Sequence, residues 1–334
     1  MPVLPATESA IAQAVAALQQ GLPVGMPTET VYGLACDARS DLAVARVFAA
    51  KGRPSFNPLI VHVASLQAAQ QLVQFDPLSL QLAQQFWPGP LTLVLKRRAD
   101  CPISWLVSAG LDTLALRVPA HPLALRLLEA AAMPLAAPSA NPSGRLSPTQ
   151  ADHVQFPDLS VVVLDGGPCA VGVESTVVRV VEGKAWLLRP GGLERAAIEQ
   201  VAGPLAAPPA TQVGHPGAAA AAESEPPRSP GQLLAHYAPH RPLRLDARQV
   251  SSQEALLAFG PQVLPGAGAV LNLSQRGDTT EAAAHLFSYL RALDREPFQA
   301  IAVMAIPHQG LGEAIRDRLT RAAVGAGPGP APEP

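Results

Sequence analysis

The sequence predicts an α/β protein in which helices pack against a sheet, followed by a shorter second α/β unit. Three observations predict it. Over the first 200 residues, apolar runs of strand length alternate with segments of helical periodicity, the pattern of a sheet covered by helices. A stretch of Ala, Pro and a few polar residues from Gly203 to Arg228 then breaks both periods, as a flexible linker does. A second and briefer alternation follows it.

Taken in order, Ile11, Val15 and Leu18 recur at helical spacing, and Gly21 ends that helix. Leu22–Met26 reads as a short strand. Asp41 is positioned to cap a helix containing Leu42, Val44, Val47 and Phe48, which closes near Gly52. Strand patterns follow at Leu59–Val63, Leu91–Leu95, Thr113–Val118, Val161–Leu164, Thr176–Val180 and Trp186–Leu188, with a helix at Pro122–Ala132. In the second unit, Val270–Leu273 and Ala300–Ile306 read as strands, and Thr280–Leu293 and Gly312–Ala323 as helices of a small parallel-sheet domain. Between the units, Ser229–Pro239 (SPGQLLAHYAP) has more character than a linker needs. The domains expected are residues 1–200, a linker with this lid-like segment at 201–240, a small α/β domain at 241–325, and a disordered tail at 326–334.

Composition narrows the function classes. The 334 residues give a prior of about two domains at roughly 150 residues each. Hydrophobic residues make up 48%, enough for buried cores. Lys and Arg total 24 against 26 Asp and Glu, so the basic excess of a stable nucleic-acid binder is absent. Cys36, Cys101 and Cys169 are scattered and odd in number, which fits neither a disulfide framework nor a zinc site. The N-terminus lacks a basic run and carries Glu8, against a signal peptide. No apolar stretch approaches the length of a membrane span. A reduced, soluble, cytoplasmic protein is expected.

Neither G-x-x-x-x-G-K-[ST] nor G-x-G-x-x-G occurs, so phosphate chemistry would need another anion site. One candidate is Lys51-Gly-Arg53-Pro-Ser-Phe-Asn57-Pro, two cations on a proline-stiffened loop. On pattern alone, Lys51 has a second reading as a cation complementing a helix C-terminus. The adjacent strand turns Ile60 and His62 to one face and Leu59, Val61 and Val63 to the other. Thr113 and Arg117 share one face of another strand, opposite Leu114, Leu116 and Val118; Arg117 there meets either an anion or solvent. Ala137-Pro-Ser139-Ala-Asn141, nearby Ser147, Gly172-Val-Glu-Ser175 and Leu188-Arg189 supply small polar loops that serve either a ligand or a turn. No Ser/His/Asp order and no His/Cys ligand spacing stands out, which disfavours a covalent nucleophile or a tight metal site.

Read together, PTETVYGLACDA (27–38), KGRPSFNPLIVHV (51–63), FWPGPLTLVL (86–95), LALRVPAHP (114–122), PSANPSG (138–144), SPT (147–149), GVESTVV (172–178) and LLRPGG (187–192) closely resemble the threonylcarbamoyl-AMP synthase family, in its long two-domain form. The SPG…HYAP segment and the short C-terminal unit match as well. The resemblance implies a YrdC-like twisted open mixed sheet with a positively lined cavity, then a small Rossmann-like domain. It implies synthesis of threonylcarbamoyl-AMP and pyrophosphate from L-threonine, bicarbonate and ATP, for tRNA modification next to the anticodon. A downstream threonylcarbamoyl transferase would take the product. The family's basic–basic–serine–asparagine signature falls on Lys51, Arg53, Ser139 and Asn141. Threonine contacts fall on Thr30, His62, Arg117 and Ser175. Nucleotide contacts fall on Arg53, Asn57, Thr113, Ala137, Ser139, Ser147, Arg189 and Tyr237. Mg²⁺ is expected with ATP, held largely by the nucleotide. One departure is that Gln232, Leu233, Leu234 and Ala235 fill a gap where the family often has Met and a basic residue. Two rivals remain: a carbamoyl-adenylate former of the hydrogenase-maturation type, and a non-enzymatic RNA-binding protein.

Overall fold

The computed structural model describes residues 2–156, 159, 161–206 and 235–327. Its first unit opens with β1 (Val3–Pro5), α1 (Glu8–Gln19), β2 (Val24–Met26) and β3 (Gly33–Asp37). Then come α2 (Asp41–Lys51), β4 (Ile60–His62), α3 (Leu66–Gln70), β5 (Val73–Gln74) and α4 (Pro77–Phe86). After β6 (Leu91–Arg97) and β7 (Thr113–Arg117) follow α5 (Pro122–Ala131), β8 (Leu135–Ala136) and β9 (Val162–Asp165). The unit closes with β10 (Thr176–Val181), β11 (Lys184–Arg189) and α6 (Arg195–Ala202). Ten strands run in the order β1-β9-β2-β3-β8-β4-β7-β6-β10-β11, and β5 adds to β6. The sheet is mixed: β4 and β10 lie parallel to β7 and β6, while β6 and β7 are antiparallel.

Helix starts follow local chemistry. Thr7, Ser40, Ser65 and Asp76 each accept a hydrogen bond from a backbone N–H in the first turn, satisfying a donor that the helix leaves open. The cap of α2 is thus Ser40, one residue before the expected Asp41. Asp41 sits in the first turn, where its charge suits the helix dipole. Gly52 ends α2 at φ 57°, as expected.

Strand alternation decides where the site lies. Leu59, Val61, Val63, Leu91, Leu93, Leu95, Leu114, Leu116 and Val118 all join one core with Val44, Val47, Leu82 and Ile198 from the helices. Each such leucine contributes about 1.5–3 kcal/mol by leaving water. The opposite face of β4, β7, β6 and β10 keeps only a small apolar patch of Val94, Ala115 and Val177, with Ile60 and Leu188 at its margin. A separate core gathers α1 and α5 against β2, β8 and β9, through Ile11, Leu18, Leu127 and Leu164.

The second unit contains β12 (Leu243–Arg244), β13 (Glu254–Ala258), β14 (Ala269–Asn272), α7 (Thr279–Leu293), β15 (Ala300–Val303) and α8 (Gly312–Ala326). Its four strands are parallel, in the order β12-β15-β13-β14. β13 escaped the sequence reading because EALLA shows no period: all five residues are buried. The apolar sides of α7 and α8 share one core with Val31, Leu146 and Val173 of the first unit and with Tyr237. Gly172 is required there: at φ 74°, a Cβ would lie 2.3 Å from the Ala283 carbonyl of α7. Residues 207–234, including most of the expected linker and the start of the SPG segment, lie outside the described residues. So do 328–334 of the expected tail; Ala326 belongs to α8 instead. Among the described residues, no helix is long and apolar enough to cross a membrane.

Candidate active site

The uncovered sheet face, four loops and the segment before the second unit surround about 580 Å³ of space open to solvent. The β2–β3 connection forms one wall. Thr28 donates its hydroxyl to the Val31 carbonyl at 2.6 Å and lies 2.8 Å from the Thr30 hydroxyl. Thr30 in turn accepts from Arg117 at 2.7 Å.

Arg117 reaches this wall because β7 pairs with β4 so that His62 and Arg117 are neighbours in register. Its Nε donates to the Gly89 carbonyl at 3.0 Å, and Glu29 forms an ion pair with it at 2.5 Å. The alternative of a solvated Arg117 is excluded, since the residue is 3% exposed. Burial, aided by the Arg117 charge, lowers the His62 pKa to about 3. The ring is therefore neutral near pH 7, and its Nδ1 has no partner among the described residues. On β10's leading edge, Ser175 lies 2.7 Å from the Thr92 hydroxyl and accepts on its carbonyl from Arg189 at 2.8 Å. Gly191 allows this approach, because a Cβ there would lie 2.3 Å from the Glu174 carbonyl.

Arg53 lines the cavity, donating to the carbonyls of Asn57 (3.1 Å) and Pro58 (2.9 Å). Burial lowers its pKa to about 10, so it stays charged at neutral pH. Lys51 departs from the loop location expected for it: it is the last residue of α2, buried, with its ammonium on the carbonyls of Ser139 (2.5 Å) and Asn141. Lys51 is thus a last-turn cation of α2, as its second reading has it, and it also ties the 139–141 loop to the helix. Burial, and then Arg53, pushes its pKa well down.

The expected residues divide accordingly. Thr30, Arg53, His62, Arg117, Ala137, Ser139, Ser175, Arg189 and Tyr237 line the cavity. Lys51, Asn57, Asn141 and Ser147 stand just behind that lining. Asn57 is fully buried with both amide atoms unpartnered among the described residues, as is the Asn141 Oδ1. Ser147 donates to Glu174. Thr113 is not in the lining; it sits farther along the Arg117 face of β7, past Ala115.

Sequence reasoning passed over Glu174 and His236, although both stand inside quoted motifs. Glu174 lines the cavity, and its carboxyl would be raised by burial, but Arg318 and Arg189 hold it below its ordinary range. His236 packs edge-on against Tyr237, centroids 4.0 Å apart, and burial lowers its pKa to about 3. Tyr237 itself adopts φ 63°, a left-handed conformation costing a non-glycine residue about 1–2 kcal/mol. That turn lets its ring line the cavity while stacking against Phe287 of α7 at 5.6 Å.

Three guanidiniums, two neutral imidazoles and a row of hydroxyls around the open face of a mixed sheet define a domain that binds a small polar molecule with several anionic oxygens. Comparison with known proteins makes the class specific. Residues 16–191 match a family model described as Telomere recombination (Sua5, YciO and YrdC proteins), and residues 193–324 match the Threonylcarbamoyl-AMP synthase C-terminal domain. The threonylcarbamoyl-AMP synthases of Bacillus subtilis and Pyrococcus abyssi are each 39% identical to this chain, over 94% and 91% of it and 93% and 91% of their own lengths. The crystal structure of P. abyssi Sua5 complexed with L-threonine superposes with a TM-score of 0.85 at 35% identity, covering 98% of both chains. The chain belongs to the threonylcarbamoyl-AMP synthase family.

Proposed function

We propose that the protein makes threonylcarbamoyl-AMP and pyrophosphate from L-threonine, bicarbonate and ATP, supplying tRNA modification in the cytoplasm. The observation carrying this reading is one cavity that gathers the whole expected threonine set with Arg53, Ser139 and Arg189 of the nucleotide set. It stands in a chain matched nearly end to end by a relative crystallised with L-threonine. The same end-to-end match, C-terminal unit included, favours this reading over a hydrogenase-maturation enzyme or an RNA-binding protein.

The chemistry joins anions. The threonine amine adds to the bicarbonate carbon and water leaves, giving a carbamate. A carbamate oxygen then attacks the α-phosphorus of ATP and pyrophosphate departs. The enzyme's task is to position these groups and compensate charge. In this reading Arg117, Thr30, Ser175 and His62 hold threonine; with a pKa near 3, His62 serves as a hydrogen-bond partner rather than a proton acceptor. Arg53, Ser139 and Arg189 face the phosphates, with Lys51 and Asn141 shaping the Ser139 loop. From Arg117 to Thr113 the open face runs four residues, about 13 Å at strand rise, a length suited to a nucleotide lying over Ala115 with Thr113 at its far end. The carboxylate in the cavity lining, Glu174, is already paired with Arg318, and Glu29, outside the lining, with Arg117. Mg²⁺ would therefore enter on the triphosphate, where it neutralises phosphate charge. The released adenylate would pass to a separate transferase acting on tRNA.

Mass spectrometry of a mixture of protein, ATP, Mg²⁺, threonine and bicarbonate tests the reading. The expected product is threonylcarbamoyl-AMP, dependent on all three substrates and absent when valine replaces threonine. AMP formation without the threonine-dependent adduct would overturn it.

A further inference from the structure

Arg318, on α8 of the second unit, is the largest of the fully buried side chains, at 1% exposure. It lies outside the cavity lining, yet most of its contacts lead there. Its Nε donates to the Glu174 Oε2 at 2.6 Å, and another guanidinium nitrogen donates to the Pro190 carbonyl at 3.1 Å. The guanidinium carbon stands 5.1 Å from the centre of the Tyr237 ring. The remaining nitrogen pairs with Asp317, which Arg321 also holds. Glu174, Tyr237 and Arg189, the residue before Pro190, all line the cavity, and Glu174 also accepts the Ser147 hydroxyl.

Glu174 is the problem that this contact solves. A buried carboxylate on the wall of a cavity for polyanions repels the ligand and is costly to leave unpaired. We infer that Arg318 is a positioning residue of the active site: the C-terminal domain uses it to neutralise Glu174 and hold it against Ser147, so that the wall accepts a triphosphate. Burial opposes the charge of Arg318, but Tyr237, Glu174 and Asp317 outweigh it and keep the guanidinium protonated. The inference rests on the synthase reading and deepens it.

A built-in control separates this role from simple attachment of the domains. Arg195 of α6 and Glu313 of the same helix α8 form another link between the units, 2.5 Å apart and away from the cavity. Pyrophosphate release would be measured in the full chain for wild type, Arg318→Met, Arg318→Met with Glu174→Gln, and Arg195→Met, varying ATP and threonine separately. Arg318→Met is expected to lower kcat/KM for ATP by about tenfold or more, chiefly through KM. Adding Glu174→Gln, which removes the exposed charge, should recover several-fold of the loss, while Arg195→Met stays within about twofold of wild type. The inference is overturned if folded Arg318→Met also stays within twofold, if Glu174→Gln recovers nothing, or if Arg195→Met loses as much as Arg318→Met. Should Arg318→Met fail to fold, the double variant decides: folding with near-wild-type ATP KM supports charge compensation, and failure of either overturns it. An inactive wild type would instead overturn the synthase reading itself.

Discussion

Two walls of the same cavity are built in different ways. The strand wall carries His62, Arg117 and Ser175 at the ends of β4, β7 and β10, each opposite a run of leucines and valines buried under helices. The docked wall carries His236 and Tyr237, which have no strand beneath them and are held by α7 and α8 through Phe287 and Arg318. The strand wall is rigid because moving any of its residues would move the core. The docked wall is only as firm as the contact between the two units. An active site assembled this way separates fixed groups that read the substrate from a cover whose position depends on domain packing.

The largest expected effect tests the fixed side. Arg53→Ala should reduce adenylate formation by at least about 100-fold, since one lost charged contact at a buried anion costs roughly 1.5–3 kcal/mol and Arg53 offers more than one. Among the described residues its hydrogen bonds go to the carbonyls of Asn57 and Pro58 in its own loop, so the urea midpoint should move less than when a cation that ties two distant segments is removed. Lys51→Ala should lose activity comparably but also lower the midpoint, because the Ser139 and Asn141 carbonyls lose their buried donor at a cost of about 1–3 kcal/mol. Equal midpoints for the two variants would break the distinction between a ligand-facing and a loop-holding cation.

An intermediate effect separates cover from dock. Tyr237→Ala opens a hole in a core shared by both units and should cost about 3–5 kcal/mol, as aromatic-to-alanine changes do. If the ring also covers the adenylate, the variant should shorten the half-life of enzyme-held threonylcarbamoyl-AMP, and Tyr237→Phe should restore most of both properties. Lost stability with unchanged retention of the intermediate would leave Tyr237 a docking residue alone.

The smallest effect compares the two histidines across the walls. Both have folded pKa values near 3, below the ordinary value for an exposed imidazole. As pH falls below about 6.5, the unfolded chain takes up these protons first, so stability is complete above that pH and declines down to about pH 3. The slope is up to about 1.4 kcal/mol per pH unit for each imidazole. Urea titrations between pH 7.5 and 5 should therefore show a shallower pH dependence in His62→Gln with His236→Gln than in wild type. An unchanged dependence would mean that burial does not hold these rings neutral.

What the sequence determined by itself was everything carried by period and local chemistry. Alternation along 59–63 and 113–118 turned His62 and Arg117 away from the leucines, and the structure keeps that division. The helix ends at Gly52 and near Gly21, and the strands around the cavity, follow from side-chain spacing and backbone freedom, which act over a few residues. Only the tertiary structure decided that Lys51 serves two carbonyls some 90 residues away in the chain, that Thr113 stands beyond the cavity lining, and that β13 pairs where no period marked it. Only it could bring Arg318 to Glu174, 144 residues apart. Those contacts rest on how separate hydrophobic faces meet, and a guanidinium that pairs inside a core is written no differently from one that lies in water.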